Sequence, residues 1–362
     1  MSSSVLPGAH PKNREASHKP FIGDIGFDRV TVALCCWFIG GLYLDGWAHG
    51  HGLVDKTFFT PWHAILYSGY AACALSLIIV VVLNHQRGRT WLSAIPRGYG
   101  LTLLGVPLFL VAGIGDMLWH ILFGFEVGIE PLLSPTHLLL ALSGFLILSG
   151  PLRAAWQRAD SIAPPTWAAL LPALLSLLAI FSLFTFFTEF AHPFVQTYTV
   201  TNTFTNAGKS LGAAGILLQA AIMMGFVLFL LRRWCLPFGA FMLLFTLNGA
   251  LMSVLADEYR LIPGVLLAGI IADLLYRLLK PSIARKDMLR IFIFIVPAFY
   301  YLCYFVTLMI TGGITWSIHL WLGSSVIVGV LGLVLSYLLV PPANPMKEGV
   351  EAELYGKQRE EL

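Results

Sequence analysis

A pattern of one aspartate and two histidines occurs twice in this chain. In each copy the aspartate and the first histidine are four residues apart, and the second histidine follows a Thr-Pro or Ser-Pro step. The two copies are Asp45, His49 and His63, and Asp116, His120 and His137. Residues four apart lie on one face of a helix, and proline is favoured in the first turn of the next helix. A carboxylate with two imidazoles is a typical ligand set for transition metals, so each copy predicts a metal site.

The bulk composition indicates a membrane protein. Of the 362 residues, 57% are hydrophobic and 11% are charged, whereas soluble domains average about 25% charged residues. Apolar runs fill most of residues 28–340, and a run of about 20 residues is enough to cross a bilayer. We therefore expect an all-α, polytopic transmembrane helical bundle in contact with the lipid bilayer. The net charge of +3 comes with basic residues in short loops and gives no indication of nucleic acid as a partner.

The apolar runs divide the chain into predicted spans and tails. A single transmembrane domain is expected over 21–342, between disordered cytoplasmic tails at 1–20 and 343–362. We predict ten spans, at 29–47, 61–84, 98–122, 135–156, 166–190, 207–231, 238–256, 261–279, 289–311 and 316–340.

The basic residues predict the orientation of these spans. If the N-terminus is cytoplasmic, 19 of the 22 lysines and arginines fall on the cytoplasmic side, and the outer side keeps only Lys56, Lys209 and Arg260. Cytoplasmic loops of membrane proteins carry such an excess of lysine and arginine. The pattern predicts an even number of spans in the cell (plasma or inner) membrane, with both termini in the cytoplasm.

The predicted topology places both copies of the pattern at the extracytoplasmic ends of spans 1 to 4. Other acids and histidines are expected in the same outer layer, as further ligands or as groups that orient the ligands. These residues are Glu126, Glu130, Glu189, His192 and His319. Each hairpin can hold one ion, or the two hairpins can share a dinuclear site. The repetition also suggests that spans 1–2 and 3–4 are duplicated hairpins. A hydrogen-bonded network joining the outer helix ends is the competing interpretation.

The motif resembles the membrane copper site in the C subunit of particulate methane and ammonia monooxygenases. There, too, Asp-x3-His is followed by a histidine on the next helix. The resemblance implies copper-ligand roles for Asp45, His49 and His63, or for Asp116, His120 and His137. It favours copper over zinc or iron, and it implies partner membrane subunits. It covers only the two motif segments, and the gap between histidines is longer here.

Three classes of function are compatible with these features. The first is a membrane metalloenzyme, an oxidoreductase acting on a small apolar or lipid-like substrate. The second is a transporter or permease that binds metal ions or protons in the outer layer. A transporter needs polar groups across the membrane, and Asp273 is the one acid that continues a polar track inward. An ion pair with Arg277 is the simpler interpretation of Asp273. The third is a structural or assembly subunit. Bis-histidine haem ligation is a lesser alternative for the four motif histidines.

Overall fold

The computed structural model describes residues 21–53, 58–124, 126, 128–158 and 165–341. The predicted tails at 1–20 and 343–362 lie outside these residues. The described part of the chain is helical and contains no strand. Its α-helices are α1 (Ile25–Gly50), α2 (Pro61–Gln86), α3 (Trp91–Ala94), α4 (Gly100–Phe123), α5 (Glu130–Leu133), α6 (Pro135–Leu148), α7 (Gly150–Trp156), α8 (Trp167–Phe187), α9 (Tyr198–Thr201), α10 (Asn206–Leu231), α11 (Ala240–Leu255), α12 (Ile262–Leu279), α13 (Lys286–Thr311) and α14 (Ile318–Leu339). Short 3-10 helices cover Glu189–Ala191 and Tyr259–Leu261.

Eight of the described helices are long and apolar enough to cross a membrane, which confirms a multi-pass helical membrane protein. They are α1, α2, α4, α8, α10, α12 with its preceding 3-10 turn, α13 and α14. The predicted span 135–156 consists of two helices, α6 and α7, bent by 41°, and the pair passes the same test only when it is taken as one span. The predicted span 238–256 contains α11, which has only 16 residues. The number of spans and the orientation of the termini stay predictions.

The break between α6 and α7 follows from Pro151, the second residue of α7. Proline has no backbone N–H, so the helical hydrogen-bond ladder is interrupted there. The guanidinium of Arg153 fills part of the gap. It donates to the Leu146 carbonyl at 3.0 Å, to the Ser149 hydroxyl at 2.7 Å and to the Thr102 hydroxyl at 2.8 Å. Because polar groups at the break are hydrogen-bonded within the protein, the bend is compatible with an apolar surrounding.

The two helices of the first hairpin, α1 and α2, approach each other backbone to backbone. A Cβ atom on Gly41 would lie 2.8 Å from the Cα of Leu66, and one on Gly69 would lie 2.7 Å from the Cα of Phe38. In the second hairpin, formed by α4 and α6, a Cβ on Gly105 would lie 3.0 Å from the backbone oxygen of Ser143. Small residues allow close packing of membrane helices. These contacts fix how each hairpin crosses, and therefore where its outer ends meet.

A buried acid on α12 stabilises the start of α11. Asp273 is 1% exposed, and its carboxylate accepts hydrogen bonds from the backbone N–H groups of Phe241 at 3.3 Å and Met242 at 2.8 Å. A carboxylate in this position satisfies N–H groups that have no partner within the helix. The guanidinium of Arg277 lies over the ring of Phe238, 4.6 Å from its centroid. Asp273 thus has a structural role in capping α11, in place of the expected Arg277 pair.

Candidate metal centre

Asp45, His49 and His63, named here the first triad, come together where the C-terminal end of α1 meets the N-terminal end of α2. The Asp45 Oδ2 atom lies 3.3 Å from Nε2 of His63 and 3.9 Å from Nε2 of His49. The two Nε2 atoms are 3.5 Å apart. The point equidistant from these three atoms in their plane is about 2.1 Å from each of them, close to the bond lengths of roughly 2.0–2.2 Å that Zn²⁺ forms with histidine and carboxylate ligands. The spacing therefore fits a transition-metal ion.

Local structure in the loop before α2 sets the orientation of His63. Thr60 caps the helix, since its hydroxyl accepts the backbone N–H of His63 at 3.1 Å. The backbone carbonyl of Phe58 lies 2.6 Å from Nδ1 of the His63 ring. A carbonyl only accepts hydrogen bonds, so Nδ1 carries a proton, and in the neutral ring Nε2 keeps its lone pair. Metal-binding histidines are commonly held by such a bond from the other ring nitrogen.

The electrostatics of the first triad favour a cation at its centre. The lone pair on Nε2 of neutral His63 faces a carboxylate oxygen of Asp45, and both groups are acceptors. The other oxygen of Asp45, Oδ1, is buried and has no hydrogen-bond partner in the described part of the chain. Burying a carboxylate is costly unless it is paired. A proton or a metal ion between these acceptors removes the repulsion.

Asp116, His120 and His137, the second triad, form a similar group where the C-terminal end of α4 meets the N-terminal end of α6. The Asp116 Oδ2 atom lies 3.4 Å from Nε2 of His120, and its Oδ1 atom lies 3.5 Å from Nδ1 of His137. In each triad, one ligand atom per residue lies within 4.8 Å of the others. Both sets predicted from the sequence are therefore assembled as groups that can hold a metal ion.

The second triad has more hydrogen bonds to the surrounding protein. The Thr136 hydroxyl donates to Asp116 Oδ1 at 2.8 Å. The Ser134 hydroxyl lies 2.7 Å from Nδ1 of His137, and the Glu126 carboxylate lies 3.2 Å from Nδ1 of His120. The two hydroxyls thus engage Asp116 Oδ1 and His137 Nδ1 without an ion, whereas the oxygens of Glu126 have no hydrogen-bond partner among the described residues.

Both triads line a single cavity of 480 Å³. The phenyl ring of Phe58 lies between them, with its centroid 5.0 Å from the His63 ring and 6.5 Å from the His120 ring. Away from the triads, the walls are mostly apolar. They include Phe38, Leu66, Phe109, Leu140, Leu183 and Phe186. The polar groups are thus gathered at the outer end of a mostly hydrophobic chamber.

The other residues of the predicted outer layer are not all brought to this cavity. Glu126 and Glu189 line it. Glu130 is exposed at the beginning of α5, and His319 is exposed near the beginning of α14. His192 lines a separate, small cavity. The roles of these five residues as ligands or orienting groups stay predictions.

His192 is buried, and Glu189 is half-buried with its carboxylate turned into the protein. Burial raises the pKa of Glu189 to about 7, and its Oε2 atom has no hydrogen-bond partner among the described residues. Burial lowers the pKa of His192 to about 3, so this ring is neutral at physiological pH. Its Nδ1 accepts the backbone N–H of Phe194 at 3.1 Å, which places the ring proton on Nε2.

Two contributions to the site were missed in the sequence. The first is the backbone carbonyl of Phe58, for which the sequence carries no signal. The second is the hydroxyl of Thr136, and here a signal exists, because the residue between the proline and the second histidine is Trp62 in one copy and Thr136 in the other. That difference places a hydrogen-bond donor beside Asp116.

Comparison with known proteins gives no match to this chain among family models, curated proteins or solved structures. The resemblance to the particulate monooxygenases therefore stays at the level of the motif. The functional assignment rests on the geometry of the triads and their cavity.

Proposed function

We propose that this protein is a membrane metalloenzyme, an oxidoreductase that binds copper at the outer ends of its first helices and acts on a small apolar or lipid-like molecule. The observation that supports it most directly is the first triad. Three ligand atoms 3.3 to 3.9 Å apart surround a point with the spacing of a metal site, and the buried Oδ1 atom of Asp45 has no hydrogen-bond partner among the described residues.

The chemistry of the donor set supports a transition metal. Imidazole and carboxylate ligands suit copper, zinc and iron, whereas the absence of thiolate in the triads disfavours a site specific for soft metals. The motif resemblance favours copper. Three protein ligands leave coordination positions for a further molecule, and an open position is the feature that separates catalytic from structural metal sites. A bound metal would supply Lewis acidity or, for copper or iron, redox chemistry.

The shape of the cavity supports an apolar substrate. Its volume of 480 Å³ lies within the range of about 300–1,000 Å³ typical of small-molecule sites. Aromatic and aliphatic side chains such as Phe109 and Leu140 form most of its wall, so a ligand would be bound chiefly by burial of its apolar surface. The role of the chain is then to orient such a molecule toward the triads and to limit the access of water.

The transporter alternative gains no support from Asp273. This acid is the one that would continue a polar track toward the cytoplasm, but its carboxylate caps α11. The hydrogen bonds from Ser134 to His137 and from Thr136 to Asp116 fit a structural or assembly role for the second triad better than they do for the first. The apolar cavity beside both triads favours the enzyme.

Metal analysis of the purified protein tests the proposal. After expression with copper and zinc supplied, elemental analysis is expected to find copper in the wild type. The double variant His63→Ala/His137→Ala is expected to lose it, and Glu130→Gln, with an exposed carboxylate, is a control expected to keep it. Absence of metal from the wild type, or full retention by the double variant, would refute the metal site.

A second measurement addresses the reaction. The copper-loaded protein in liposomes is expected to consume oxygen when a short alkane is added together with a quinol, which supplies the two electrons and two protons that reduce the second oxygen atom to water. The double variant is expected not to do so. Copper uptake into sealed vesicles without any oxygen consumption would favour the permease instead.

A further inference from the structure

The two triads share a motif but differ in how their polar atoms are satisfied. We propose that the first triad is the high-affinity metal site, and that the second triad is kept in a metal-free state by hydrogen bonds from Thr136 and Ser134. This inference rests on the proposed function, and it assigns the tightly bound metal ion to the first triad alone. It predicts one tightly bound ion per chain, with a second ion bound only at much higher concentration.

The first difference lies at the residue between the proline and the second histidine. In the second triad this residue is Thr136, whose hydroxyl donates to Asp116 Oδ1 at 2.8 Å. In the first triad it is Trp62, whose ring packs at 6.2 Å against the ring of Trp47. The corresponding oxygen of Asp45 is buried and has no hydrogen-bond partner in the described part of the chain. A metal ion at the first triad therefore finds the Asp45 carboxylate without a hydroxyl donor, whereas at the second triad it must compete with Thr136 for the Asp116 carboxylate.

The second difference lies at the hydroxyl before the proline. In the first copy, Thr60 uses its hydroxyl to cap α2 through the backbone N–H of His63, so it does not engage the ring. In the second copy, the hydroxyl of Ser134 lies 2.7 Å from Nδ1 of His137, and the α6 cap has no side-chain hydrogen bond. In either tautomer this bond engages Nδ1, the nitrogen that faces Asp116. Metal binding through that atom requires the bond to break.

Access to the two triads also differs. The side chain of His49 is 36% exposed, whereas those of His120 and Asp116 are 7% and 3% exposed. An ion arriving at the outer end of the helices therefore reaches the first triad through His49. The most exposed side chain of the second triad, that of His137, is 23% exposed.

Copper titration of the full chain, stripped of metal and held in lipid nanodiscs, tests this division. Cu²⁺ is added with a competing chelator, and bound copper is counted by elemental analysis. The wild type is expected to bind one equivalent tightly. His137→Ala is expected to keep that equivalent, and His63→Ala is expected to lower its affinity at least tenfold. Loss in His137→Ala with retention in His63→Ala, or equal losses in both, would overturn the assignment.

Two further variants test the hydrogen bonds themselves. Thr136→Val keeps the shape of the side chain but removes the donor to Asp116, and Ser134→Ala releases Nδ1 of His137. Both are expected to raise the affinity for the second ion, by about tenfold for Thr136→Val because hydrogen bonds to charged groups are strong. Ser143→Ala is the control, since its hydroxyl bonds to the Leu139 carbonyl of its own helix.

The outcomes separate the two proposals. If Thr136→Val weakens binding of the second ion, the hydroxyl supports a metal ligand and the present inference is wrong, although metal binding stands. If the wild type binds no copper at any concentration, the proposed function fails and the inference fails with it. Thr136→Val keeps the shape of the side chain, so it remains informative even if His63→Ala folds poorly.

Discussion

The rings of Phe38 and Phe109 meet edge to face, with their centroids 5.1 Å apart and their planes at 83°. Each phenylalanine lies seven residues before the aspartate of its motif, which is about two helical turns deeper along its helix. Both side chains line the cavity. Corresponding positions of the two hairpins thus touch about two helical turns away from the two triads.

Replacing Phe109 by alanine is expected to destabilise the protein and enlarge the chamber. Phe109 is 3% exposed, and buried Phe→Ala substitutions cost about 3–5 kcal/mol. Because one side of the ring already faces the cavity, we expect a loss of unfolding free energy near the lower end of this range. Denaturant unfolding in detergent measures it. Ile121→Ala, on the same helix but 71% exposed, is expected to have little effect. Equal effects of the two variants would contradict a packing role for the Phe38–Phe109 contact.

Adding a single methyl group at Gly41 is expected to disturb the first triad from a distance. The new Cβ would lie 2.8 Å from the Cα of Leu66, so α1 and α2 must move apart. Copper affinity of the first triad should fall at least tenfold, and the melting temperature should fall with it. Gly40→Ala is a matched control because nothing lies within 4 Å of its Cβ. There, alanine is expected to stabilise the helix by up to about 1 kcal/mol. Identical behaviour of the two variants would refute the close approach.

Stability of the metal-free protein is expected to depend on the protonation of Glu189. Its pKa is raised from 4.5 to about 7 by burial, so the folded state binds the proton more tightly than the unfolded state. The protonated Glu189 carboxyl therefore contributes to the free energy of unfolding. This contribution is fully present below pH 4.5, declines as the pH rises toward 7, and is lost above pH 7. A pKa shift of this size corresponds to a loss of unfolding free energy on the order of 3 kcal/mol between low and high pH.

Glu189→Gln should remove this part of the pH dependence, since a neutral amide has no proton to lose. Thermal unfolding measured from pH 4.5 to 8 in the presence of a chelator is the test. Glu130→Gln, at an exposed site, should leave the wild-type slope unchanged. A Glu189→Gln profile parallel to the wild type would contradict the burial of a neutral carboxyl at this site.

Removing the carboxylate of Asp273 is expected to weaken α11 without changing copper binding. Loss of a helix cap costs about 0.5–2 kcal/mol, and the penalty should be near the upper end because Asp273 is buried. Asp273→Asn retains an acceptor oxygen and should recover much of the loss. Asp287→Ala, whose side chain is 88% exposed, is the control for unfolding in detergent. Loss of copper from Asp273→Ala with unchanged stability would point to an ion path instead.

The sequence was sufficient to predict the helical membrane fold and the two metal-ligand sets. The apolar runs and the spacing of the motif residues are local features of the sequence. They predict helices and shared helix faces whatever the packing of the helices. The predicted outer layer of acids and histidines, by contrast, specifies only how deep a residue lies in the membrane and not which residues are neighbours. It grouped His192 and His319 with the motif residues, although His192 is buried beside Phe194 and His319 is exposed.

Long-range contacts account for what the sequence could not predict. The carboxylate of Asp273 bonds to backbone groups on another helix rather than to the neighbouring Arg277, and no local rule anticipates that choice. The bend after Leu148 depends on Pro151 and on the partners available to Arg153. The two aspartates of the triads differ in their hydrogen bonding because of Thr136, and the ligand motif does not specify the residue at that position.

The glycine contacts between α1 and α2 have a consequence for the choice of ion. The distance between Asp45 and His63 is inherited from a helix crossing at Gly41 and Gly69. Backbone-to-backbone contact leaves that crossing little freedom to open or tighten around ions of different radius. In the proposed metal site, discrimination between metals would therefore be a mechanical property of the hairpin, determined by the stiffness of its two helices as much as by the chemistry of the ligand atoms.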